Sequence, residues 1–246
     1  MTPLADIAER TKPRGPGAPP RPGREEVKGF GVVALPFASG DVLCLRRFPQ
    51  SSFGPGYDSV WHRSPRGAWT VYTTIAPELS CPRFIGADVS RAVETPIEVV
   101  WSGPFELAVR VPAAGLDWRM RMAGTPVTRL MNVMMALMPA ALYRSNRVLA
   151  LMSAMSTLLL AAGRFRLWGR APNRQWFQAG PRRIWMIPES RAALEGRDLG
   201  PLGPLATQAA VGDFALPQRG VFMLGAMSFE AFAPDRHLPA VAGAAA

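Results

Sequence analysis

Leu116-Asp-Trp-Arg-Met-Arg-Met122 alternates strictly, with Leu116, Trp118, Met120 and Met122 on one side and Asp117, Arg119 and Arg121 on the other. Successive side chains of an extended chain point to opposite faces, so this pattern predicts a strand with one buried and one wet face. Residues 105–111 repeat it, with Phe105, Leu107, Val109 and Val111 inward and Glu106 and Arg110 outward; Ser102-Gly-Pro104 separates them from an apolar run at 97–101. Three short strands joined by tight turns make a meander.

Working outward, strands are expected at 29–37, 41–48, 57–63 and 68–75, punctuated by Ser39-Gly40, Phe53-Gly-Pro-Gly56 and Ser64-Pro-Arg-Gly67. Downstream they resume at 164–170, 175–179 and 183–187, and a last strand covers 220–229 after a Gly- and Pro-punctuated loop. The fold class is therefore mainly β, an antiparallel barrel or sandwich, closed or nearly so because so many short strands need their edges protected.

Between these strands the period changes. Thr125-Pro126 is a helix start, and residues 127–162 carry Leu, Met and Ala without alternation, which predicts an inserted apolar helical hairpin with helices at about 126–137 and 146–162. The first is apolar nearly all round after Asn132, as a helix is when it is buried on several sides or meets something greasy. The second carries a small-residue stripe, Ala150, Ala154, Thr157 and Ala161, suited to close approach by another helix, and a larger one, Leu151, Met155, Leu158 and Leu159. Both fall short of the roughly 20 residues of a membrane span, and Arg144-Ser-Asn-Arg147 interrupts them.

With 246 residues, 48% of them apolar, the chain is expected to form a single β-rich domain over 29–230. Residues 1–28, rich in Pro, Gly and charge, are expected to be a disordered basic tail, and residues 231–246 a flexible one. The formal charge is +10, of which residues 29–246 keep +8; only Lys12 and Lys28 are lysine, the rest of the basic residues being arginine. A basic surface attracts phosphates or an anionic membrane, yet no zinc-finger spacing, helix-turn-helix cue or RNP-like aromatic motif supports nucleic acid. No signal-peptide core opens the chain, and Cys44 and Cys81 match no metal or disulfide framework, so the expected setting is cytoplasmic with membrane association left open.

The chemistry-bearing feature is sulfur. Met131, Met134, Met135, Met138, Met152 and Met155 are six of twelve methionines within 25 residues. Unbranched thioethers adapt to irregular apolar shapes. Core packing, the wall of an apolar ligand site and membrane contact each explain such a cluster. The ligand-site reading names Trp61, Trp118, Met120, Met131, Met134, Met135, Met138, Met155, Arg183 and Trp185.

For acid–base chemistry the candidates are His62, with Asp58, Tyr72 or Glu78 assisting. Asp58 and His62 share a strand face but lie roughly 13 Å apart, too far for a direct hydrogen bond. Cys81 as a nucleophile would need a cation, with Arg83 the local candidate, to lower its pKa. His237 is expected to be solvent-exposed. No G-x-S-x-G, H-E-x-x-H, G-x-G-x-x-G or Walker loop occurs, and neither cofactor nor metal is implied.

Residues 57–63, 69–72, 96–105, 116–118 and 181–185 resemble uncharacterised bacterial proteins. More loosely, the architecture resembles lipocalin-like proteins of the carotenoid-hydratase type. That resemblance implies a β-barrel with an apolar cavity for an isoprenoid-like or fatty molecule, sometimes with cofactor-free proton chemistry; the helical insertion departs from it, and no catalytic residue carries over. The expected function is binding of a hydrophobic small molecule, with cofactor-independent isomerase, cyclase or hydratase chemistry if the protein is an enzyme. The alternative is a peripheral membrane or protein-interaction module built on the helical hairpin and arginines.

Overall fold

The structure, a computed structural model, describes residues 2–10 and 21–239. Two meanders form its frame. The first contains β1 (Arg24–Pro36), β2 (Val42–Ser51), β3 (Tyr57–Arg63) and β4 (Trp69–Thr73), beside which β5 (Arg91–Glu94) lies parallel. The second contains β6 (Glu98–Gly103), β7 (Glu106–Val111) and β8 (Leu116–Ala123). After the short β9 (Trp168–Arg170), the long β10 (Trp176–Leu194) spans two of the expected strands, and β11 (Arg197–Asp198) pairs with its end. β12 (Ala210–Val211) and β13 (Phe214–Ala215) form a separate ribbon, and β14 (Gly220–Glu230) returns to the main sheet between β1 and β10.

The strand order is β5-β4-β3-β2-β1-β14-β10-β8-β7-β6. The chain is mainly β, and the expected antiparallel barrel or sandwich, closed or nearly so, is corrected in one respect: the sheet is mixed, with a parallel β4–β5 pair, and its path ends at β5 and β6. Residues 74–90, with the short helix α2 (Pro82–Ile85) among them, carry the chain across so that β5 runs alongside β4. A parallel pair needs a crossover of that length.

Although its path is open, the sheet curls tightly. Trp101 of β6 lies 6.1 Å from Phe30 of β1 and 6.0 Å from Phe222 of β14, ring centroid to centroid. In a flat sheet β6 and β1, five strand spacings apart, would be separated by about 24 Å. The concave face is packed solid. Trp118, Leu107, Val109, Leu43, Leu45 and Val60 are buried there with little added from outside the sheet, chiefly Ile7, Leu199 and Leu202.

Ile7 belongs to α1 (Pro3–Arg10), which corrects the expected disordered tail, as does β1 beginning at Arg24. Ile7 gives this helix an apolar anchor, and Asp6 approaches Arg183 at 3.6 Å. The stretch from Thr11 to Pro20 lies outside the described residues. The expected C-terminal tail is likewise corrected up to Pro239. His237, expected to be exposed, is buried: its Nδ1 accepts from the Ala233 N–H at 2.9 Å, which leaves Nε2 to donate to Glu230, and the Leu238 N–H bonds the Asn173 carbonyl at 3.0 Å. Residues 240–246 lie outside the described ones.

The convex face carries α3 and α4. In α3 (Pro126–Leu137), the Thr125 hydroxyl accepts the Thr128 N–H at 3.1 Å while the Thr128 hydroxyl accepts the Thr125 N–H at 2.8 Å, a reciprocal cap with Pro126 at the first helical position. Asn132 pins α3 to β10, donating to the Ile184 carbonyl at 2.9 Å and accepting its N–H at 2.8 Å. A 3-10 turn at Ala140–Arg144 leads into α4 (Asn146–Leu160), which stops at Ala161 with φ 47°.

Candidate functional site

Outward-facing positions of the central strands explain why a space exists under the helices. On β1 these are Val27, Gly29, Gly31 and Val33; Gly29 pairs with Gly225 of β14, which pairs with Pro181 of β10. A row without large side chains leaves the floor low. Neither β1 glycine can be replaced without moving backbone, because an added Cβ would lie 1.9 Å from the Arg47 carbonyl oxygen at Gly29 and 1.9 Å from that of Leu45 at Gly31. Above this floor α3 and α4 close the space with methionines.

The resulting cavity has a volume of about 220 Å³ and crosses five neighbouring strands from β3 to β10, roughly 19 Å of sheet. It exceeds the roughly 150 Å³ apolar void that admits a benzene ring. Six of the expected ligand-site residues line it: Trp61, Met131, Met134, Met135, Met138 and Met155. The other four do not. Trp118, Met120 and Trp185 belong to the packed concave core, and Arg183 is held by Asp6 and by the Asn132 carbonyl, at 3.2 Å from its Nη1. The apolar cavity inside a β-barrel that the resemblance implied is thereby corrected: large aromatics are buried inside the curl, and the void is on its outside, under the helices.

Polar side chains in the lining are few, and four of them cluster: Arg46, Tyr57, Trp61 and Cys81. Alternation on paired strands brings the first three together, since Arg46 faces Ser59 and Phe48 faces Tyr57 across the β2–β3 ladder. The Arg46 guanidinium bonds the carbonyls of Val32, of Leu45 at 3.0 Å and of Val33 at 3.1 Å, and lies 4.7 Å from the centre of the Trp61 ring. It has no carboxylate partner among the described residues. The Trp61 Nε1 is buried without a hydrogen-bond acceptor among them. Tyr57 Oη and Cys81 Sγ approach to 3.6 Å.

Burial pushes the Tyr57 phenol and the Cys81 thiol up, with Arg46 opposing, and pushes the Cys44 thiol up to about 12. Cys81 is thus held as a neutral thiol, the opposite of what an activated nucleophile requires. Arg83, expected to assist it, is bound to Glu25 at 2.6 Å.

The acid–base candidates do not converge. His62 follows Trp61 on β3 and so points to the opposite face from the cavity. Its Nε2 bonds Asp41 Oδ1 at 2.7 Å, and Arg197 bonds Asp41 Oδ2 at 3.0 Å. Burial raises the Asp41 carboxyl, but hydrogen bonds from Arg197, His62 and Ser39 outweigh it and hold the group below its ordinary value. Asp58 pairs with Arg47 at 3.1 Å and is raised by burial against that arginine. Tyr72, raised by burial, packs against the concave core, and Glu78 is exposed on the 3-10 turn Pro77–Leu79. Asp41, the partner that orients His62, was not among the expected residues; it precedes β2 in the Ser39-Gly40 turn.

No protein-family model and no curated protein matches the chain. Among solved structures, acetoacetate decarboxylase from Legionella pneumophila is similar at 10% identity over 95% of this chain and 96% of that one, with a TM-score of 0.36. Among the described residues no group of three His, Cys, Asp or Glu side chains could hold a metal ion, and no helix is long and apolar enough to cross a membrane.

Proposed function

We propose that the protein binds an elongated apolar molecule with an anionic end, a fatty or isoprenoid-like carboxylate, in the cavity between the helices and the convex face of the sheet. The observation that carries this reading is the cavity itself: methionines, aliphatic groups and aromatic rings form its wall, and the Arg46 guanidinium, without a carboxylate partner among the described residues, stands in it. Pockets for small molecules are mostly apolar with a few polar groups that set orientation. Arg46 supplies charge to a ligand carboxylate, beside the Trp61 ring at the same end of the cavity. A ligand that binds only the folded chain would stabilise it in proportion to its affinity and concentration.

Binding is the whole of this reading. His62 and its Asp41 partner belong to the other face, so no acid–base step is assigned to them.

Titration with a fluorescent polyene fatty acid and the matching fatty alcohol tests the proposal. Saturable binding of both is expected, with Arg46→Met weakening the acid by about tenfold and sparing the alcohol. Met223→Trp, which places a larger ring among the cavity-lining residues of β14, should abolish both. Uptake unaffected by Met223→Trp would overturn the site, and equal losses for acid and alcohol on Arg46→Met would overturn the anionic end.

A further inference from the structure

The two helices are apolar on both faces, with Met131 and Met135 of α3 and Leu149 and Leu160 of α4 buried toward the sheet. Toward the sheet α4 turns Leu149, Ser153, Ser156 and Leu160, all buried; the Ser153 hydroxyl donates to the Leu149 carbonyl at 2.7 Å and accepts the Leu167 N–H at 3.0 Å. Away from it α4 turns Leu151, Leu158 and Leu159, with Leu158 80% exposed. In α3 the bonded Thr128 and Asn132 face inward, while Leu130, Val133 and Leu137, the last 79% exposed, face outward. A helix on a water-facing surface carries polar residues on its outer side, which these two, apart from the arginines at their ends, do not. Isolated exposed leucines need no explanation, but a patch shared by two helices on one face marks an interaction surface.

The charge around the patch selects its partner. From Trp118 to Pro188 the chain has eleven arginines and no Asp or Glu. Arg129, Arg144, Arg147 and Arg164, at the helix ends and the turn between them, are exposed and have no ion-pair partner among the described residues. Beside α4, Trp168 stacks on Trp176 with centroids 5.9 Å apart, a ring pair of the kind enriched at membrane interfaces. At about 18 and 22 Å, the lengths of α3 and α4 rule out crossing a hydrocarbon core of about 30 Å but suit lying in its surface.

We infer that the outward face of α3 and α4 docks in the plane of an anionic lipid bilayer, leucines in the acyl region and arginines at the phosphates. Met134 and Leu151 line the cavity and are also exposed on this face, so the cavity opens toward the bilayer and is loaded from it. The loading step rests on the proposed ligand site; the docking does not.

Flotation of the full chain with vesicles of phosphatidylcholine alone or with phosphatidylglycerol tests this. Binding to the anionic vesicles is expected, reduced by high salt, and reduced roughly tenfold or more by Leu137→Asp with Leu158→Asp and by Arg144→Glu with Arg147→Glu. Neither leucine lines the cavity. Both variants should therefore keep the wild-type circular dichroism spectrum and bind the polyene fatty acid from solution. Absence of flotation while that probe still binds would overturn the docking and leave the ligand site standing. Flotation that survives Met223→Trp while probe uptake is lost would support docking and confine the cavity's role to loading. A discrete oligomer in light scattering that the leucine changes dissociate, with no vesicle binding, would overturn the bilayer in favour of a second copy of the chain.

Discussion

The two faces of one sheet carry opposite solutions to the same problem. On the concave side Trp118, Trp185, Phe30 and Phe222 are buried together inside the curl, and Trp101 packs on them from the far edge. On the convex side, Gly29, Gly31 and Gly225 lower the floor and methionines of α3 and α4 form an incomplete roof. Close-packed aromatics make a rigid core. Thioethers over a glycine floor make a space whose shape its occupant can adjust. The convex face also holds a buried cluster of its own, with Phe48, Trp61, Trp69, Phe84 and Phe229 among it, so both faces contribute to stability and only one of them leaves a gap for the proposed ligand.

Truncation should expose that division most strongly. Trp118→Ala is expected to cost about 3–5 kcal/mol, because it empties a fully buried site. Met135→Ala, which borders existing space, should cost no more than about 2 kcal/mol despite a similarly low exposure. Denaturant melts of the two variants measure both; equal losses would erase the distinction between a filled and an unfilled face.

A smaller effect concerns the Asp41 cluster, which ties β2, β3 and β11 at the sheet's margin. Its folded pKa lies below the unfolded value of about 3.9, so its contribution is present above that value and is lost as pH falls through the folded pKa. The melting-temperature gap between the wild type and Asp41→Asn should be largest near neutral pH and shrink below about pH 4. A gap constant across this range would show that the bonds to His62 and Arg197 add no pH-linked stability.

Much of the sheet was legible in the sequence because its strands alternate. β8 follows Leu116-Asp-Trp-Arg-Met-Arg-Met122, and α3 occupies 126–137 as the Thr125-Pro126 start implied. Face assignment was less legible. Alternation shows that Trp118 and Trp61 each have a buried side but not that these sides are opposite faces of the sheet. Only the pairing of β1 with β14 and the curl toward β6 decide that. The small stripe at Ala150 and Ala154 illustrates the same limit: it is exposed, because α4 turns its serines inward. Arg46 was also passed over, since one arginine among so many carries no signal until Cys81, Tyr57 and Trp61 surround it.

The most direct test of the binding face is native mass spectrometry of the protein as purified from cells, before any detergent. The wild-type chain should carry an apolar carboxylate in stoichiometric amount that dissociates on activation, and Met223→Trp should arrive at the bare mass. Identical bare masses for both, with no uptake when the wild-type chain is offered a fatty acid, would contradict a ligand-holding convex face.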